Sequence, residues 1–504
     1  MLSVKMRTAM AEPGVGWNHR QGHRKPKNNS SDVRKMTVEA QQKIHNSKKT
    51  TIAKMACQLL VALVLLFVAF GPAYAATITW DGGGSDNNWN TCANWDTGDT
   101  CPGASDVATF NATSTKNATI NVDPNVAGID IQAGYTGTIS QSAGVTVTVG
   151  TSGLIQAAGT FTGSNALIDI NGKLTMSGGT FTATSGVTEI SRDYTYTGGT
   201  ITPNGGTFKF AHPGSSGSTI TGTHTLNNIS FDTGSGSAKT WNIAAGTVLT
   251  ASGTLSLDSS GSGGIYLSGS GEIAAQGDIV LDELSYAGSS TLRINGTGNQ
   301  SLTGSGGTLP SNVIISKNSG ILSLIGSFRV RNWTYANTGS GTLNAGTSAI
   351  TFTSADAGAT LTGSHTLYDV TLGHDSSSSR TWTIADGTTL TTTGTLAFNN
   401  SDDGSSGGYS AINSSGSGKF SAQGNVTVSS AGGGPFLGSA TLEFSGNATQ
   451  SFDLTGYEGH FNLDINVNKS GGQINLLSNL TMDAAGQDLD IIAGTLDLNG
   501  KQLT

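Results

Sequence analysis

Moving protons and stabilising developing charge require clustered carboxylates, or carboxylates set beside His, Lys or Arg. The chain offers few such sets. Acidic pairs occur at Asp402-Asp403 and at Asp488 with Asp490. The first sits in a Gly/Ser-rich insertion and the second alternates along a strand pattern, so both read as solvated acids rather than a catalytic dyad. Only 13 Lys/Arg follow residue 75, and they are scattered. His224 and His365 occupy equivalent positions in a repeat, with His460 in a looser match. A catalytic histidine is needed once, so recurrence at a structural interval points to a turn or stacking role. Trp241 and Trp382 recur in the same way and read first as stacked residues. The histidines lack the Cys/His spacing of a strong metal motif, and no Gly-Gly-x-Gly-x-Asp run marks a calcium-binding repeat. Asn-x-Ser/Thr triplets such as Asn111-Ala112-Thr113 and Asn117-Ala118-Thr119 are expected by chance in so Thr-rich a chain. The sequence therefore predicts no catalytic residue, cofactor or metal.

The elements that would position any site are β-strands. Of 504 residues, 72 are Gly and 9 are Pro, with 12% charged. That is roughly twice the usual glycine and half the usual charge, which excludes a coiled coil and a typical helical enzyme. Glycine has no three-residue period, so collagen is excluded as well. Repetition appears at two scales. Gly159-Thr160-Phe161-Thr162, Gly179-Thr180-Phe181-Thr182 and Gly199-Thr200-Ile201-Thr202 recur at one constant short interval, with Gly137-Thr138-Ile139 before them. Between them lie short alternating runs ended by Asn-Gly or Gly-Gly, which is strand chemistry. A larger unit carries Thr221-Gly222-Thr223-His224 to Thr362-Gly363-Ser364-His365 and Trp241 to Trp382, both by the same offset.

Two oppositely charged segments make up the net charge of -8. Residues 1–54 carry 12 Lys/Arg and 3 Asp/Glu, a net of +9; residues 76–504 carry 13 and 30, a net of -17. Twelve apolar residues from Leu59 to Phe70 follow Lys54 and precede Gly71-Pro72-Ala73-Tyr74-Ala75. A basic region, an apolar run and an A-x-A site predict a signal peptide over 55–75, cut after Ala75, with 1–54 a leader of no fold. An uncleaved anchor is the alternative, but the run is shorter than the about 20 residues that span a bilayer. The asymmetry reads as sorting, and no nucleic-acid partner is expected.

Beyond the cut remain Cys92 and Cys101. Two cysteines in an exported chain predict one disulfide closing a short loop. Around them lie Trp80, Trp89 and Trp95. Three tryptophans so close together can cover the first coil of a stack, making 76–125 an amino-terminal cap. The same aromatics with Asp81, Asp86 and Asp96 are also the materials of a sugar or calcium site.

The phrase Trp80-Asp81-Gly82-Gly83-Gly84, with Trp89, Asn94-Trp95, Pro102 and Asp106-Val107-Ala108-Thr109-Phe110, resembles the opening of bacterial exported β-helix repeat proteins, including autotransporter-type passengers. Gly494-Thr495-Leu496-Asp497-Leu498-Asn499-Gly500-Lys501 is similar to one of their coils. The resemblance implies a right-handed parallel β-helix at the cell surface or outside the cell, often adhesive or structural. It transfers no catalytic residue. No membrane-barrel segment follows Leu503-Thr504, so the expectation is a truncated record or a separate anchor.

The combined reading is an all-β parallel solenoid over 126–504, with large repeats at about 192–330 and 331–482. Its expected partners are extracellular glycans or host and matrix surfaces, with membrane contact only through the signal segment. The 429 residues after Ala75 would make about 21 coils of 20 residues, roughly 100 Å of rod at the spacing of stacked strands.

Overall fold

In the computed structural model the described residues are 75–504 without 99, 212–216, 235, 258–262, 282–287, 354–357, 375–379, 401–409, 415–416, 431–435 and 458–459. Positions 42, 43, 45, 54–56 and 58 are also described, and they are helical. They belong to a unit, residues 1–73, distinct from the unit 74–504. The rest of the leader and the apolar run 59–70 lie outside the described residues, apart from those positions. Among the described residues no helix is long and apolar enough to cross a membrane.

Within the unit 74–504 the described residues form an all-β parallel solenoid of about 15 turns, with stacked coils from about 107 to 497. Alternation makes the strands: in Thr207–Ala211, Phe208 and Phe210 are buried while Thr207, Lys209 and Ala211 are half-exposed. Side chains of successive strand residues point to opposite faces, so one set fills the interior and the other faces outward. Buried residues then stack from turn to turn. Phe208, Ile229, Leu255, Ile279, Leu302 and Leu324 are consecutive partners in one parallel column. Ten strands from His224–Leu226 to Phe436–Leu437 form a separate sheet. The other ladders join where strands such as Leu174–Thr182 run round a corner. Corners need left-handed backbone, and Gly159, Gly179 and Gly199 supply it with φ of 60°, 73° and 91°.

The ladder starts inside the segment 76–125. Ala76–Thr79 pairs with Asp106–Phe110, which in turn pairs with Asn125–Ile131. The number of turns also differs from the expected 21, because the coil lengthens along the chain. Ile168 pairs with Thr188, whereas Leu390 reaches half as far again along the chain to pair with Phe420. That longer interval contains the insertion 401–409, which includes Asp402-Asp403 and lies outside the described residues.

The large repeat does not equal a whole number of turns. Trp241 stands in the column Ser218, Trp241, Leu267, whereas Trp382 stands in the ten-stranded sheet between Ala359 and Ile412. His224 belongs to that ten-stranded sheet and its equivalent His365 does not. Equivalent residues therefore appear on successive faces of the solenoid, displaced by one face per repeat.

Candidate functional site

At the amino-terminal end the structure gathers Trp80, Trp89 and Trp95 around Phe110. All three indoles are buried, and Trp95 meets Trp80 and Trp89 edge-on at 5.1 and 4.8 Å between ring centres. Trp80 Nε1 donates to Lys116 O at 3.0 Å and Trp95 Nε1 to Trp89 O at 2.9 Å. Cys92 and Cys101 are joined by a disulfide across nine residues. A buried indole offers no face to a sugar. The carboxylates are equally engaged. Asp86 accepts from Asn88 N, Asn88 Nδ2, Thr91 Oγ1 and Asn94 Nδ2, and these bonds, led by that from the Asn88 backbone, hold its carboxyl below the usual range. Asp81 Oδ1 accepts from Gly83 N, and Asp96 Oδ1 from Thr79 N. The donors and acceptors of this arrangement are directed at one another and at Lys116. Ala75, the residue before the expected cut, is exposed and immediately precedes the first strand.

His224 and His365 sit in matching aromatic slots. His224 Nε2 lies 2.5 Å from Tyr194 Oη, and its ring packs on Tyr194 and Tyr196. His365 Nε2 accepts from Trp333 Nε1 at 2.9 Å, and its Nδ1 lies 2.7 Å from Gly363 O, so Nδ1 carries the proton. Desolvation drives each imidazole down to about 4, partly opposed by the carbonyls of Gly222 and Gly363. Both rings are neutral stacking elements at pH 7. His460 is separate: it pairs with Asp483 at 2.9 Å on an exposed surface. Trp241 and Trp382 are fully buried, and Trp382 Nε1 donates to Phe352 O at 3.0 Å.

Asp488 and Asp490 are exposed. Asp488 donates its backbone N–H to Asp464 Oδ1, and Asp490 pairs with Asn466 along the ladder. The pattern reading missed a different charged row, Glu189, Lys209 and Asp232, on consecutive turns. Lys209 Nζ lies 3.5 Å from Glu189 and 2.9 Å from Asp232. Burial works against its charge, but the two carboxylates outweigh that and hold the ammonium above its ordinary value. This lysine is a fixed cation between two acids rather than a general base. Arg293 likewise forms a two-pronged pair with Glu272, and Lys419 pairs with Glu443.

Two buried lysines were also missed. Lys317 Nζ donates to Gly296 O, Gly298 O and Gln300 Oε1, while Gln300 Nε2 donates to Ala275 O and Gly277 O one turn earlier. Lys469, Gln450, Ala422 O and Gly424 O repeat this arrangement. Each ammonium spends its three donors on oxygens, and desolvation lowers both lysines from their ordinary value. The signal in the sequence was the recurrence of Gln300 with Lys317 as Gln450 with Lys469.

A cleft of about 390 Å³ opens beside Leu437, Gly438, Ser439, Asn462, Asp464 and Gln487. Among the described residues of its lining Asp464 is the one titratable group. Asn462 Oδ1 and Gln487 Oε1 lack partners, but both atoms are closed off from solvent. Among the described residues no three His, Cys, Asp or Glu side chains gather as a metal set. The chain matches no protein-family model, no curated protein and no solved structure.

Proposed function

We propose that this chain is an exported, non-enzymatic solenoid that acts as a surface spacer or adhesin. The carrying observation is the continuous parallel ladder from Ala76 to Asp497, whose outward columns are rich in Thr, Ser and Asn. Such a rod, about 15 turns long, extends roughly 70 Å at the spacing of stacked strands. It sets out many weak polar contacts, and multiplicity then compensates for low affinity at each one. The displacement of repeat-equivalent residues by one face distributes them around the rod. The leader, the apolar run and the likeness to exported β-helix repeat proteins support placement at or beyond the cell surface.

A second reading, a polysaccharide-binding or polysaccharide-cleaving solenoid, is favoured by one observation: the Glu189, Lys209, Asp232 row sets two carboxylates beside one lysine ammonium. The full-length protein, tested on a glycan and matrix array and assayed for newly formed reducing or unsaturated sugar ends, separates the two. The spacer or adhesin reading expects no sugar ends. Turnover that survives repurification and is lost in Glu189→Gln would overturn it.

A further inference from the structure

One outward face is a two-dimensional lattice of hydroxyls. Thr138 and Ser140, Thr160 and Thr162, Thr180 and Thr182, and Thr200 and Thr202 lie in four consecutive rows, each residue directly above its counterpart. Thr119 extends the second column one row further. Rows follow at about 4.8 Å and the two columns stand about 6.7 Å apart, as strand geometry dictates. The residues between the columns point inward and fix the rows: Phe161 and Phe181 stack at 5.3 Å with planes 15° apart. Threonine is stiff about χ1, so its hydroxyl and methyl hold their places.

The lattice carries no charge, and its hydroxyls are unspent. Among the described residues, none of these eight hydroxyls bonds to a protein atom, although Thr184 Oγ1 and Thr197 Oγ1 on nearby corners donate to Ser164 O and Met176 O. An uncharged grid of hydroxyls and methyls held at these spacings can order a matching layer of water. Its two repeats lie close to those of water oxygens on the prism face of hexagonal ice.

We propose that the face bearing Thr138 to Thr202 binds ice. The inference rests on the fold and the register alone and does not depend on the surface role proposed above. The full-length protein is cooled with slowly growing ice, and its partition into the ice and the shape of single crystals are recorded. The wild-type protein is expected to enter the ice and facet crystals. Thr160→Lys with Thr180→Lys, which puts charge in the grid, is expected to abolish both, as is Thr180→Tyr alone. Thr366→Lys with Thr391→Lys, in a column outside the grid, is expected to leave both unchanged. Exclusion of the folded wild-type protein from ice, or an array variant that is folded and still enters it, would overturn the proposal. So would binding to crystalline cellulose that the array variants lose while ice partition stays at the wild-type level.

Discussion

Lowering the pH from 6.5 to 4 is expected to remove about 3 kcal/mol of stability from the turns around His224 and again from those around His365. In the folded chain each imidazole titrates at about 4, against 6.5 when free. As the pH falls below 6.5 the unfolded chain takes up these protons and the folded chain does not, so stability declines steadily. The loss is complete below about pH 4, and at pH 7 neither histidine contributes. The physical reason is clearest at His365, where Nε2 already accepts from the Trp333 indole and a second proton would set N–H against N–H. Asp86, Asp386 and Asp453 are held below 3.8 and lose their contribution only at lower pH. The window from 6.5 to 4 is therefore distinguishable from theirs. Hydrogen exchange followed against pH should show protection falling first near Tyr194 and Trp333. Resonances assigned to His224 or His365 that titrate near 6.5 in the folded protein would contradict this account.

Trp95→Ala is expected to cost about 4 kcal/mol at the amino-terminal end, the usual scale for truncating a buried Trp. The indole touches Trp80, Trp89 and Phe110, and it is carried at the Trp80–Trp95 backbone bridge, the one antiparallel bridge among the described residues. Its loss uncovers the first turn, whose unpaired edge is a template for other chains. Stability in a stacked repeat is a sum of local terms, so the effect should concentrate in the first turns. Thermal melting with light scattering is expected to show an earlier transition and self-association. A variant that melts like the wild-type protein and remains dispersed would show that the tryptophans do not protect that end.

Some of this architecture was legible because a solenoid writes its geometry into the chain as spacing. The short recurrence of Gly-Thr-Phe-Thr is itself the step from Thr160 to Thr180, since one period there equals one turn. The total number of turns was hidden, because insertions at corners lengthen later coils without disturbing the inward columns. The recurrence of His224 as His365 marked a structural role. That the pair would fall on different faces was not legible, because an offset in sequence counts chain length and not rotation. Apart from recurring with Gln300 and Gln450, Lys317 and Lys469 carry no mark of burial in the sequence. Their burial depends on carbonyls from the preceding turn, which only the stacked backbone brings together. The Glu189, Lys209, Asp232 row was missed for the same reason: its members are a full turn apart in the chain and become neighbours only through register.

Cysteine pairs placed across neighbouring turns test the stacking itself. Thr160→Cys with Thr180→Cys, and Thr162→Cys with Thr182→Cys, put both residues at ladder partners, and their expected separation of about 4.8 Å suits a disulfide. Under mild oxidation both pairs should cross-link, as read by mass mapping, and Thr160→Cys with Thr182→Cys should not. Efficient cross-linking of that third pair in place of the first two would mean that neighbouring strands run in opposite directions, and the parallel solenoid would be wrong.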